Sequence, residues 1–435
     1  MPASTANLSR REHATAGGRQ KMRSLVVSSC FPPNGWGGAE IAAEGIAKWM
    51  AANGHEVAVY TDSGPAHAPG ESQDAWGRRY SPRKGWWNHR AGEHGRQSGP
   101  RKAFWHLLDH APFQGYSEFA RAVADFKPDL VMVHLAPGLG IGIFEYCARH
   151  DVPVVFVVHD FWMTCLRSSM FSRGGTVCTR REFYCRWSSA IRWGALSRVP
   201  RLGFWAVSRS IVEVIEKELG VALGNVLIER NIVDLSDFAG ASQARTEGPP
   251  SFLYVGKVTA AKGVDFALGC LSGLPGGLDF RVDVVGSGDL ELPLRRQFDG
   301  DPRFRFHGAR SREEVGGFYR RASALLVPSI WFENSPIVIY QAQAAGLPVI
   351  GSDSGGIPEL LAGRDDSFVL PAGDRAQWTS KLRMVAEDRE LLARLAAAGA
   401  RHAAEGRDAL DSRAGRVMDF CRSVMNPLHS AAGPR

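Results

Sequence analysis

Apolar residues in this chain fall into short unbroken runs separated by stretches with helical spacing. Runs at 24–29, 57–61, 130–135, 154–158 and 204–208 have the length of strands, the last ending the first series, and Pro128 and Pro153 bound two of them. Unbroken runs of this kind are expected of parallel strands covered on both faces. Helices are expected at 40–52, where Ile41, Ile46 and Trp49 are available for packing, and at 211–219. A second series of runs follows at 252–255, 281–285, 304–306, 324–327, 348–350 and 368–370. Helices fill most of its intervals, the chain beyond Trp378 reads as helical to 406, and a final helix is expected at 410–424. Strand and helix alternating in two series predict an α/β chain with two doubly wound parallel sheets.

Between the series, AGASQARTEGPPS at 239–251 has the composition of a linker. The expected organisation is a polar, disordered leader over 1–21, a first domain over 22–238, the linker, a second domain over 252–406, and a closing helix and tail over 407–435. A length of 435 residues is ample for two cores. No apolar run is long enough to span a bilayer, and the leader lacks the apolar segment of a signal peptide, so a cytoplasmic protein is expected. The net charge of +7 favours anionic partners. Residues 76–102 show no periodicity and hold eight Arg or Lys against one acid, with Trp76, Trp86 and Trp87 among them. That mixture suits an anionic membrane surface, nucleic acid or a solvated insertion.

Chemistry concentrates in PSIWFENSPIVIYQAQAAGLPVIGSDSGGIPEL at 328–360. A loop carrying Glu333 and Asn334 leaves one strand, and Pro336 suits the first turn of a helix whose Ile337, Tyr340, Gln341 and Ala344 share a face. Gly355 and Gly356 then precede another helix start, where glycine lets a ligand approach the backbone and the helix N-terminus favours an anion. Other strand ends carry similar material: Gly37 and Gly38, His159, Gly256 with Lys257 and Lys262, and Gly286 with Gly288. Open α/β sheets bind ligands at such ends. Two lysines in a cleft there stabilise the charge of a departing nucleoside diphosphate. Cys165, Cys178 and Cys185 lie in an Arg-rich segment, and their spacing leaves metal binding and reduced thiols both open, a zinc site needing a fourth ligand. No D-x-D metal motif stands at a suitable strand end, and Asp234, Asp237 and Asp353 do not form a chelating pair.

These residues resemble family 4 glycosyltransferases. Glu333, Asn334, Ser335, Pro336, Ala342, Gly346, Pro348, Val349, Gly355, Gly356 and Glu359 match the family's signature, and Gly256 to Gly263 its glycine-lysine motif; Gln341 stands where the family has a second acid, and Ile232 where it has a hinge glycine. The resemblance covers about 22–424. It implies a GT-B fold, two Rossmann-like domains facing a cleft with the last helix crossing back to the first. It implies transfer of a sugar from a nucleotide-sugar to an acceptor hydroxyl with retention, in cell-surface polysaccharide or glycolipid synthesis. By the same resemblance His159 serves the reacting centre and Glu333 the sugar hydroxyls. Lys257, Lys262 and the glycines at 37, 38, 256, 286, 288, 355 and 356 hold the donor, with Asn334 also on the donor and Gln341 at the ribose. No cofactor is expected, the nucleotide-sugar being a substrate, and no metal. The expected partners are the nucleotide-sugar, a glycan or lipid-linked acceptor and an anionic membrane surface, not nucleic acid. Two rivals remain: an epimerase or phosphorylase on the same architecture, and an inactive nucleotide-sugar-binding subunit, raised by Gln341.

Overall fold

The computed structural model describes residues 21–33, 37–62, 70–74, 77–82, 99–171, 177–178, 182–239, 248–406 and 409–426. The expected leader, apart from Lys21, most of the linker and Trp76, Trp86 and Trp87 lie outside the described residues.

The first sheet is built from β1 (Arg23–Ser28), β2 (Glu56–Thr61), β3 (Gly70–Asp74), β4 (Gly77–Ser81), β5 (Leu130–Leu135), β6 (Val154–Val158), β7 (Leu202–Ala206) and β8 (Val226–Ile228). Their order is β3-β4-β2-β1-β5-β6-β7-β8, parallel throughout except for the β3–β4 pair. Helices α1 (Gly38–Ala52), α2 (Gly99–Asp109), α3 (Tyr116–Phe126), α4 (Gly142–Arg149), α5 (Phe183–Leu196) and α6 (Arg209–Leu219) connect these strands.

The second sheet joins β9 (Ser251–Val255), β10 (Arg281–Val285), β11 (Phe304–Gly308), β12 (Ala324–Val327), β13 (Val349–Ser352) and β14 (Phe368–Leu370) in the all-parallel order β11-β10-β9-β12-β13-β14. Its helices are α7 (Val264–Ser272), α8 (Glu291–Gln297), α9 (Arg312–Arg321), α10 (Ile337–Ala344), α11 (Ile357–Leu361), α12 (Arg375–Glu387) and α13 (Arg389–Glu405). Each sheet reverses direction of growth beside its first strand, which opens a crevice at the C-terminal strand ends.

Both faces of each sheet are covered, which is why the strands read as continuous apolar runs. The closing helix α14 (Ala409–Met425) returns to the first sheet and buries Val417, Met418, Cys421 and Val424 against β6 and β7. Gly203 of β7 makes this approach possible, since a Cβ there would collide with Phe420 and Val424.

Several elements differ from expectation. Residues 76–102 are not uniformly irregular, because β4 lies within them and α2 begins at Gly99. The first series does not end with β7, since β8 adds a three-residue edge strand too short to leave a periodic signal. In α1 the buried face is Ala42, Ala43, Ile46, Ala47 and Met50. Ile41 instead packs with the second domain, and the Trp49 indole donates to Asp411 of α14 at 2.7 Å. Helix α10 buries Ile337, Ile339, Tyr340 and Ala342, so its apolar cover is broader than the single expected stripe and Ala344 stays half-buried.

Candidate active site

The second domain supplies a preassembled ion pair. Glu333, 6% exposed in the loop after β12, accepts at Oε1 from Lys262 Nζ at 2.5 Å and from Ser329 Oγ at 2.7 Å. Its Oε2 has no partner among the described residues and remains available to a ligand hydroxyl. The Lys262 ammonium also lies 4.7 Å over the Trp331 ring. Lys262 ends a short 3-10 turn, and Gly263 follows at φ 65°, where a Cβ would strike the carbonyl of Pro328. The glycine therefore locks the lysine turn onto the loop that carries Glu333. Lys257 is exposed at the end of β9, and its charge reaches Glu40 at the start of α1 across the cleft. Burial raises the Glu40 carboxyl above its ordinary range, with a backbone hydrogen bond and Lys257 opposing the shift.

The glycine turns also bring loops of the second domain together. A Cβ on Gly355 would collide with the carbonyl of Glu333, and one on Gly356 with that of Asn334. The Gly356 N–H donates to the Glu333 carbonyl at 2.6 Å. The space is thus filled by the neighbouring loop, and the same holds at Gly286 and Gly288, which face the carbonyls of Gly256 and Val258. Beyond Gly356, Glu359 of α11 crosses to the first domain and accepts from the N–H groups of Arg209 and Ser210, each at 2.8 Å, in the first turn of α6. Gly37 and Gly38 open α1, and Gly38 lies against Ile337 of α10.

On the first domain, His159 directly follows β6. Its ring Nε2 is 2.8 Å from Nδ1 of His134, the two rings stack at 5.0 Å, and burial lowers the His159 pKa to about 3, so the imidazole is neutral at physiological pH. Burial also pushes the neighbouring Asp160 carboxyl up to about 7, against the hydrogen bond it accepts from the Trp162 N–H at 2.8 Å. Beneath it, the buried Arg192 donates to the carbonyls of Trp162 at 2.9 Å and Cys165 at 3.1 Å, while Asp109 accepts from the N–H groups of Gly138 and Gly140. Arg192 and Asp109 pair at 3.7 Å, which ties the loop after β6 to the loop after β5.

The two halves meet where Asn334 Nδ2 donates to the His159 carbonyl at 2.7 Å and Phe161 packs edge-on against Phe332. Asn334, expected at the donor, uses its amide N–H across the cleft, and its buried Oδ1 has no partner among the described residues. Gln341, expected at the ribose, is likewise engaged: its Oε1 accepts from the buried Tyr319 hydroxyl at 2.9 Å. Burial pushes the Cys178 thiol up, and neighbouring Cys165 and Cys185 add to the shift. Cys147, Cys165, Cys178, Cys185, Cys270 and Cys421 form no disulfide, and among the described residues no three His, Cys, Asp or Glu side chains are placed to hold a metal.

Sequence reasoning missed His134, Asp160, Ser329, Trp331 and Glu40. A histidine interrupting the apolar run of β5 was the legible sign for the first. The others became visible only when the strand ends converged.

Two α/β domains that meet at their strand ends, the second carrying an ion pair and reaching the first through the Asn334 hydrogen bond, have the GT-B architecture of glycosyltransferases. Models of two families match adjoining parts of the chain: Glycosyltransferase Family 4 over residues 36–237 and Glycosyl transferases group 1 over residues 237–402. The chain belongs to the family 4 glycosyltransferases. It is 26% identical over 393 residues to a glycogen synthase of Mycobacterium tuberculosis, covering 84% of this chain and 86% of that one. A D-inositol 3-phosphate glycosyltransferase of Streptomyces avermitilis is 37% identical over 99 residues, covering 23% of this chain and 21% of that one. Among solved structures, sucrose-phosphate synthase of Thermosynechococcus elongatus superposes with TM-score 0.69 at 17% identity, covering 94% of this chain and 100% of that one. HepE of Anabaena in complex with UDP gives 0.65 at 15%, covering 92% and 100%. At such identities the two structures speak for the fold alone.

Proposed function

We propose that the protein moves a sugar from a nucleoside-diphosphate sugar to an acceptor hydroxyl, with retention at the anomeric carbon and without a divalent ion, in polysaccharide or glycolipid synthesis. The observation that carries this reading is the Lys262–Glu333 pair at 2.5 Å, which leaves Glu333 Oε2 open beside a cation. In it, Glu333 accepts from donor-sugar hydroxyls while Lys262 and Lys257 neutralise the leaving diphosphate. His159, neutral and half-buried, offers a hydrogen bond at the reacting centre without adding charge. The names of the relatives, a glycogen synthase and colanic acid and amylovoran glycosyltransferases, support the polysaccharide setting. UDP bound to a protein of the same fold supports a nucleotide donor.

A membrane-surface setting is part of this proposal, and helices α2 and α5 support it. Their buried sides mix polar with apolar residues, Asp109 with Trp105 on one and Ser188, Ser189 and Arg192 with Ala195 and Leu196 on the other, while Phe104, Leu107, Phe183, Tyr184 and Trp187 face outward beside Arg101 and Arg186. No helix among the described residues is long and apolar enough to cross a membrane.

The proposal is tested by following transfer in the presence of EDTA and by proton NMR of the product. Activity is expected to survive the chelator, and the new linkage to keep the donor's anomeric configuration. Loss of activity that Mg²⁺ restores, or an inverted linkage, contradicts it.

A further inference from the structure

His134 occupies the last turn of the apolar run in β5, 2% exposed, and the sequence offers no reason for an imidazole there. Its Nδ1 lies 2.8 Å from His159 Nε2, and its ring stacks on His159 while meeting Trp205 at 6.0 Å in an edge arrangement. Its other nitrogen, Nε2, is buried and has no partner among the described residues. Both rings are held neutral by burial, so exactly one proton lies on each and one proton lies between them.

Only two arrangements satisfy the short contact. In the first, His159 donates from Nε2 and His134 carries its own proton on Nε2, where a buried N–H has no acceptor. In the second, His134 donates from Nδ1, and its buried Nε2 is a bare lone pair. Orphaned buried N–H groups are among the rarest features of folded proteins, and unpaired acceptors are tolerated somewhat more often. The second arrangement forces a proton onto Nδ1 of His159, the ring nitrogen with no partner among the described residues.

We propose that His134 is a positioning residue for sugar transfer: by donating from Nδ1 to His159 Nε2 it fixes His159 as the Nδ1–H tautomer, so that the cleft is offered a hydrogen-bond donor. The group fixing a histidine's far nitrogen sets what the near one can do, and here that group is a second histidine in place of a carboxylate or carbonyl. A carboxylate there would draw the imidazole toward its charged form, whereas a neutral imidazole selects the tautomer and leaves the ring uncharged. The ligand atom such a donor fits is an oxygen lone pair, on a sugar hydroxyl or on the bond that breaks. This inference rests on the reading of His159 as a group at the reacting centre, and the experiment separates the two.

Nitrogen-15 NMR of the histidine-labelled full chain reads the tautomer without any substrate. The expected result is a His159 with protonated Nδ1 and bare Nε2, assigned through its loss in His159→Gln. In His134→Leu, which cannot donate, His159 shifts toward the Nε2–H form that neutral imidazole prefers in water. In His134→Asn, whose amide nitrogen occupies the place of Nδ1, the parent tautomer persists. With UDP-, ADP- and GDP-sugars offered as donors, His134→Leu is expected to lower kcat about tenfold or more with donor KM little changed. His134→Asn is expected to restore most of the loss. A parent His159 protonated on Nε2, or an unchanged tautomer in His134→Leu, overturns the proposal. A tautomer that switches while kcat stays at the parent level overturns the role of His159 in transfer, and with it the consequence drawn for His134.

Discussion

At the scale of single residues, the two lysines differ in a way that their shared motif hides. Lys257 is exposed and faces Glu40 over the cleft, whereas Lys262 is paired with a buried carboxylate. Replacing either by Ala is expected to cost about 2–4 kcal/mol of transition-state stabilisation, the range for losing a preorganised electrostatic contact. Only Lys262→Ala should also lower the melting temperature, because it leaves Glu333 buried with Ser329 alone. Activity within threefold of the parent for both variants, measured as kcat/KM for the donor, contradicts the assignment. Gln341 poses the second test. A carboxylate at 341 still accepts from Tyr319 and gains a second acceptor oxygen for ribose, so Gln341→Glu is expected to tighten nucleoside diphosphate binding by about 0.5–1.5 kcal/mol in a calorimetric titration. No gain would mean that Tyr319 holds the side chain away from the nucleotide. Glu333 and Lys262 were legible because each lies in a long motif at a strand end, whereas a lone charged residue there reads as solvated. Tyr319 was not, since nothing in the spacing of α9 tells that its hydroxyl reaches α10.

At the scale of elements, the runs that became β5, β6, β10, β12 and β14 were legible to the residue, and for β6 and β12 the reason is that a strand buried on both faces has no polar interruption to blur its ends. Helices α2 and α5 were not, because their apolar residues lie on both sides, Trp105, Ala195 and Leu196 buried and Phe104, Leu107, Phe183, Tyr184 and Trp187 outward, which leaves no single apolar stripe to read. That outward apolar surface carries its own prediction. The protein is expected to sediment with phosphatidylglycerol vesicles, to be released by salt, and to bind them more weakly when Phe183 and Trp187 are both changed to Ser. Equal sedimentation with neutral vesicles, or none with either, contradicts a role for this surface at an anionic membrane.

At the scale of the whole molecule, two doubly wound sheets could be read from the alternation of strands and helices, but the contacts between them could not. The amide of Asn334 on the His159 carbonyl, the carboxylate of Glu359 on the first turn of α6 and the return of α14 to β7 join residues far apart in sequence. No local pattern encodes such pairs, and each depends on how two finished domains meet. The glycines at 355 and 356 illustrate the limit, since nothing in their spacing tells that they also permit the close approach of the Glu333 loop. What the assembled cleft presents is an open carboxylate oxygen, a neutral histidine and two lysines, and the central claim is that these act on a nucleotide-sugar. The most direct measurement is the release of free nucleoside diphosphate from UDP-, ADP- and GDP-sugars, with and without glycan or lipid-linked acceptors. The account predicts release from one nucleotide class, stimulated by acceptor and largely lost in Lys262→Ala. Tight binding of a nucleotide-sugar with no release under any acceptor, or conversion of its sugar without release, would contradict it.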